Sequence, residues 1–210
     1  MAETDTIDGN APVIPFVDFE DLDPETRGLY ERIEASIGYV PNSMKTYLHR
    51  PQIAGALLGL SSAIYGVDDD SLPMSVQSRL GVICSTINGC AYCTSHQCNA
   101  LQNPPPQASA QAGLSNEEVA ALISGEDEGG DPVERACFAY ARAASFDPSS
   151  VSAEMLDGLK SVLTPGQIVQ LAAIVGMWKL FNTIHDSLHF PIEDDKLAYR
   201  HFFDTAQKGA

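Results

Sequence analysis

Two cysteines three positions apart, Cys90 and Cys93, lie in the run Asn88-Gly89-Cys90-Ala91-Tyr92-Cys93-Thr94-Ser95-His96-Gln97-Cys98. If the chain is helical from Cys90 onward, that offset sets the two side chains roughly 60° apart about the axis, near enough to close a disulfide with little backbone movement. Free N–H groups at a helix start stabilise a thiolate, and Cys-x-x-Cys pairs placed there have lowered thiol pKa. A thiolate that attacks and a neighbour that resolves the product are what thiol–disulfide exchange and reduction of an O–O bond require. Asn88 is the expected N-cap of this helix, with Gly89 allowing a tight turn into it.

Two other readings of the same residues stand beside this one. Cys90 and Cys93 could be small core residues, or Cys90, Cys93, His96 and Cys98 could be zinc ligands, being of the right chemical type. Cys98 falls on a different helical face from Cys90, so those four converge only if the helix unwinds. No metal and no other cofactor is therefore expected beyond a redox-active disulfide. Cys84 and Cys137 read as small buried residues, and Cys98 as an exposed or spare thiol. Further along, Asn182, His185 and His189 fall on one helical stripe, and a buried histidine there is a candidate base or ligand. Tyr92, Trp178 and Phe181 read as core or pocket wall, so Tyr92, Trp178 and Asn182 are the candidate substrate-binding residues.

The elements that would position these groups are all helices. Asp23-Pro24-Glu25 opens one that runs to about Ile37 and stops at Gly38 and Pro41. Pro51 opens a second and Leu72-Pro73 a third, which runs to about Ile87. The cysteine helix should end before Pro104-Pro105-Pro106. Ser115-Asn116-Glu117-Glu118 is a capping signature for a fifth, and Pro132 to Ser145 makes a sixth. Helices over Ala153 to Val162, Pro165 to His189 and Asp194 to Gln207 complete the series, and no alternating run argues for a sheet. The expected fold class is all-α, with residues 1–12 a loose tail and 13–210 a single helical domain. Leu72, Leu80, Ile83 and Ile87 recur as Leu163, Leu171, Ile174 and Trp178, 91 residues on. Two related helical halves would explain that echo.

Composition narrows the partners. The 210 residues carry 12 Lys and Arg against 28 Asp and Glu, a formal charge of −16, which repels phosphate backbones and anionic headgroups. Neither nucleic acid nor membrane is an expected partner. The acidic start Met1-Ala2-Glu3-Thr4-Asp5 is unlike a signal peptide, and no apolar run approaches the ~20 residues of a membrane span. Five cysteines, four of them within fifteen residues, do not form a secreted disulfide framework, so a cytoplasmic location is expected.

The segment from Leu72-Pro73 to Asn88-Gly89-Cys90-Ala91-Tyr92-Cys93, with its lead-in from Tyr30-Glu31-Arg32-Ile33 to Gly38-Tyr39-Val40-Pro41-Asn42, resembles the alkylhydroperoxidase D-type branch of the carboxymuconolactone decarboxylase superfamily. It is most similar to the members of roughly 200 residues called peroxidase-related proteins. The resemblance extends from about Pro15 to the Asn182 to Ile192 segment. It implies an all-helical homo-oligomer and a redox disulfide in which Cys93 attacks hydroperoxide and Cys90 resolves it, with electrons from a lipoylated or thioredoxin-like donor. Peroxidases of that family also carry a glutamate twelve residues before the first cysteine and a histidine four after the second, and here those positions are Ser78 and Gln97. Neither side chain titrates usefully, so the proton relay is absent as written. His96 is one residue early, which swings it about 100° around the helix. The catalytic candidates are therefore Cys93, Cys90, His96 and His185. The leading expectation is a thiol-dependent oxidoreductase. The alternatives are the same fold with a site turned to a small organic substrate or a Cys/His-bound metal, or a non-catalytic helical oligomer.

Overall fold

The structure is a computed structural model that describes residues 11–66, 68–104 and 113–208. Among these residues there are ten α-helices and no strand: α1 Pro24–Ile37, α2 Asn42–Tyr47, α3 Pro51–Ile64, α4 Met74–Ile87, α5 Ala91–Gln102, α6 Asn116–Ser124, α7 Pro132–Phe146, α8 Ala153–Val162, α9 Pro165–Ser187 and α10 Arg200–Lys208. The all-α expectation holds. The first ten residues of the expected tail, and Pro105 and Pro106, lie outside the described residues.

Local chemistry sets the helix ends. Asp23 accepts from the N–H groups of Glu25 and Thr26 with Pro24 at the first helical position, so α1 begins with its free donors satisfied. Ser115 with Glu118, and Thr164 with Gln167, form reciprocal capping boxes that open α6 and α9. Three boundaries differ from the sequence reading. The short α2 was not foreseen, because six residues carry too little periodicity to register. The terminal helix begins as a 3-10 turn, Asp194–Tyr199, before α10. Helix α9 stops at Ser187, which leaves His189 beyond the end at φ 48°.

Helix α4 sits at the centre and packs on α5, α7 and α9, while α5 also packs on α9, α10 and the 3-10 turn. Leu80 and Ile83 of α4 meet Leu171 and Ile174 of α9 in the core, each at most 1% exposed. Burial of each such side chain contributes about 1.5–3 kcal/mol. Polar bonds pin the α4–α9 pair at both ends. At one, Gln170 Oε1 accepts from Leu72 N at 2.7 Å and Asp70 accepts from Thr164 Oγ1 at 2.6 Å. At the other, Asn182 Oδ1 accepts from Asn88 Nδ2 at 2.8 Å and Asn182 Nδ2 donates to Ser85 Oγ at 3.1 Å. Those pins fix the register that sets His185 over the start of α5. Contrary to the sequence reading, α9 is long and apolar enough to cross a membrane, but 44% of its most apolar window is buried within the fold. Its apolar character therefore serves the core.

Candidate active site

The turn between α4 and α5 fixes the first sulfur. Asn88 ends α4, Gly89 takes φ 77°, Gly89 N–H bonds Thr86 O at 3.2 Å, and Cys90 N–H bonds Ser85 O at 3.0 Å. These two bonds form a Schellman closure, and they need a residue at ease with positive φ where Gly89 stands. Cys90, not Asn88, is consequently the N-cap of α5, and its Sγ accepts from Cys93 N at 3.4 Å. Asn88 is consumed as the C-cap of α4 and by its bond to Asn182.

Both thiols are buried, Cys90 at 0% and Cys93 at 2% exposure. His185 Nδ1 lies 3.0 Å from Cys93 Sγ. Around the imidazole stand four rings: Phe181 and Phe190 stacked on it, with Tyr47 and Tyr92 tilted or edge-on at centroid separations of 5.7 and 5.1 Å. The electrostatics follow from this enclosure. Burial pushes His185 down to about 3, with His96 adding to the effect and Glu193 opposing it, so the imidazole is neutral. Burial also raises the Cys93 thiol well above its ordinary value, and the neighbouring Cys90 raises it further. The hydrogen bond from Cys93 lowers Cys90 against its own desolvation. The resting pair is therefore a Cys93 thiol in contact with a neutral imidazole, beside a Cys90 sulfur that carries charge more readily. The other ring nitrogen, Nε2, has no hydrogen-bond partner among the described residues.

The other candidates fall in different places. His96 faces away from the sulfurs: its Nε2 bonds Glu193 Oε2 at 2.5 Å and its Nδ1 lies 3.4 Å from Tyr39 Oη. Glu193 also accepts from Asn42 N at 2.6 Å and from Tyr92 Oη at 3.1 Å, while Ser43 N donates to Tyr92 Oη at 3.2 Å. Tyr92 thus ties α5 to α2 and to the segment after α9, with its ring against His185. Asn182 is 2% exposed and its amide is occupied by Ser85 and Asn88, while lowering both thiols. His189 is exposed and does not join the stripe. Cys98 is buried rather than exposed, and Cys84 and Cys137 are buried as expected, with burial lifting all three thiols to about 12.

The ligand grouping also differs from the four-residue zinc reading. Cys90, Cys93 and His185 bring their ligand atoms within 4.8 Å of one another, and neither His96 nor Cys98 belongs to that group. Two sulfurs and a ring nitrogen suit a borderline-soft ion such as zinc.

Ser78 and Gln97 both line a cavity of about 570 Å3 whose wall includes Trp178 and Phe181, and Phe181 is also stacked on His185. Trp178 Nε1 donates to Tyr65 Oη at 2.7 Å, which holds the indole in place. The sequence reading missed Glu193, Tyr47 and Gln77, none of which lies in a local motif; only the structure brings them to this region.

No family model matches the sequence, and no curated protein does. Solved structures do. The debrominase Bmp8 matches with a TM-score of 0.72 at 22% identity, covering 90% of this chain and 96% of that one. An uncharacterized peroxidase-related protein from Silicibacter sp. TM1040 matches with a TM-score of 0.74 at 19% identity, covering 93% and 97%. A third, described as an alkylhydroperoxidase AhpD core and peroxidase-related protein from Ralstonia eutropha JMP134, gives 0.72 at 20% identity, covering 88% and 94%. Over nearly its whole length, then, this chain has the all-helical fold of the AhpD-like peroxidase-related proteins.

Proposed function

We propose that this protein is a thiol-dependent oxidoreductase that reduces hydroperoxides with Cys93 as nucleophile, Cys90 as resolving thiol and His185 as base. One observation carries the reading: the 3.0 Å contact between Cys93 Sγ and His185 Nδ1, with Cys90 at the preceding turn. His185 supplies what Ser78 and Gln97 do not, from a different helix. As Cys93 sulfur attacks the distal oxygen of ROOH, its proton passes to Nδ1 and the O–O bond breaks, giving a Cys93 sulfenic acid and, after protonation, ROH. Cys90 sulfur then attacks Cys93 sulfur and displaces water, leaving the disulfide. A lipoylated or thioredoxin-like dithiol returns both thiols and is itself oxidised. The family resemblance of the sequence implies that the protein works as a homo-oligomer.

A second reading has support in the fold shared with Bmp8, a debrominase whose structure with 2,3,4-tribromopyrrole matches at TM-score 0.70 and 23% identity. The aromatic-walled cavity that Phe181 separates from His185 would hold a halogenated ring, and the same two thiols would supply the electrons. Steady-state assays with dihydrolipoamide as reductant separate the two: hydroperoxide consumption that disappears in Cys93→Ser supports the first, and halide release without hydroperoxide consumption supports the second.

A further inference from the structure

We propose that residues 189–193 form a strap over the thiol centre, clasped by Glu193, and that local release of this strap opens Cys90 and Cys93 to sulfur reagents. That a dithiol donor has to enter there rests on the thiol reading above; the strap itself stands on burial and hydrogen bonding alone.

Cys90 and Cys93 are 0% and 2% exposed, so neither sulfur is open to a dithiol in the closed fold. Exchange needs the attacking sulfur to touch the one it attacks, so an element has to move. Of the four rings around His185, three stand on helices: Tyr47 on α2, Tyr92 on α5 and Phe181 on α9. Phe190 is carried by chain outside a helix, where it stacks on His185 at 5.0 Å between centroids and meets Tyr47 and Tyr92 edge-on. The strap leaves α9 at a bend. Phe190 N–H donates to His185 O and His189 N–H to Asp186 O, both at 3.0 Å, a Schellman closure that puts His189 at φ 48°. Glycine is the residue at ease in that position, so the bend at His189 holds strain. Past it, Asn42 Nδ2 donates to Pro191 O at 3.1 Å. The Glu193 carboxylate then accepts from Asn42 N, Tyr92 Oη and His96 Nε2, which ties the strap to α2 and α5 through one side chain. The 3-10 turn that follows packs on α5 and anchors the far end. A short non-helical segment held this way opens locally while the helical core stays folded.

The test labels the reduced, folded protein with N-ethylmaleimide and reads each cysteine by mass spectrometry over a series of urea concentrations below unfolding. Cys90 and Cys93 should label faster than Cys84, Cys98 and Cys137, at a rate nearly independent of urea, because opening the strap exposes little surface. Glu193→Gln, which takes the charge from all three carboxylate bonds, should raise those two rates about tenfold and leave them independent of urea. Asn42→Ala removes the bond to Pro191 O but keeps the Glu193 clasp; it should raise them by a smaller factor, and it serves if the first variant fails to fold. Amide exchange at Phe190 should accelerate with the labelling, and that at Leu48, the end of α2, should not. Cys93 labelling that climbs with urea in step with Cys84, Cys98 and Cys137 overturns the proposal, as do parent-like rates in both variants or acceleration at Leu48 with Phe190 unchanged. Labelling needs no hydroperoxide, so the two readings fail separately: turnover with unchanged labelling sinks the strap, and strap opening without hydroperoxide consumption sinks the peroxidase.

Discussion

Cys93 and His185 lie 92 residues apart in the chain and meet at 3.0 Å, sulfur to Nδ1, inside a shell of four aromatic rings. The contact depends on α9 lying in register with α4, which the Asn182 bonds to Ser85 and Asn88 secure.

The first prediction concerns stability against pH. In the unfolded chain His185 has its ordinary value near 6.5, and burial in the fold lowers it to about 3. Below 6.5 the unfolded state binds the extra proton, so the stability from keeping this ring neutral is complete above pH 6.5 and drains away as pH falls toward 3. Between pH 7 and pH 5 the loss from this group is about 2 kcal/mol. Urea unfolding at the two pH values should show that loss in the parent and a smaller one in His185→Gln.

The second concerns the rate of thiol oxidation. An isolated thiol reacts about tenfold faster per pH unit below its pKa, because only the thiolate attacks. On the proposed mechanism the proton moves within the Cys93–His185 pair while His185 stays neutral through this range, so single-turnover oxidation should be nearly flat from pH 5 to 8. His185→Phe should slow it about 100-fold or more and restore the steep dependence.

Much of the scaffold is legible along the chain because its signals are local. Asp23-Pro24 and Ser115 with Glu118 each satisfy helix-end donors from within four residues, and they appear as caps in the fold. Asn88 misled the reading because a Schellman closure uses Asn88-Gly89 to end one helix where a capping rule would have Asn88 start the next. The site itself is only half legible. Spacing marks Cys90 and Cys93, but the His185 contact and the His96–Glu193 pair join residues more than ninety positions apart. Nothing in a linear pattern distinguishes Glu193 from the acids around it.

The third prediction tests the His96–Glu193 hydrogen bond. Burial pushes the Glu193 carboxyl up, but the hydrogen bond and charge of His96 and the Asn42 N–H outweigh it and bring the group down to about 2. Its stabilisation is therefore complete above the ordinary carboxylate value and is lost as pH falls from about 4.5 toward 2. Glu193→Gln should cost about 2 kcal/mol at pH 7 and remove that part of the acid dependence, as chemical denaturation will show.

The fourth concerns Gly81 on the cavity side of α4. A Cβ there would stand 2.5 Å from Gln97 Oε1 and 3.0 Å from Trp178 Cζ2. Gly81→Ala must displace both side chains, so a loss of about 1–3 kcal/mol and a shift in Trp178 emission are expected.

The fifth separates structure from chemistry at Tyr92. Its hydroxyl joins Ser43 N to Glu193, so Tyr92→Phe should lower stability by about 1–2 kcal/mol while keeping the ring against His185. The single-turnover rate at 25 °C should remain within a few-fold of the parent's.

The assignment of Cys93 as the attacking sulfur is tested most directly by trapping its oxidised form. Cys90→Ser protein, treated with one equivalent of hydroperoxide and a sulfenic-acid reagent, should carry the adduct at Cys93 alone, with Cys84, Cys98 and Cys137 unmodified. An unmodified Cys93 in that experiment, or an adduct at Cys90 in the matching Cys93→Ser protein, would contradict the account.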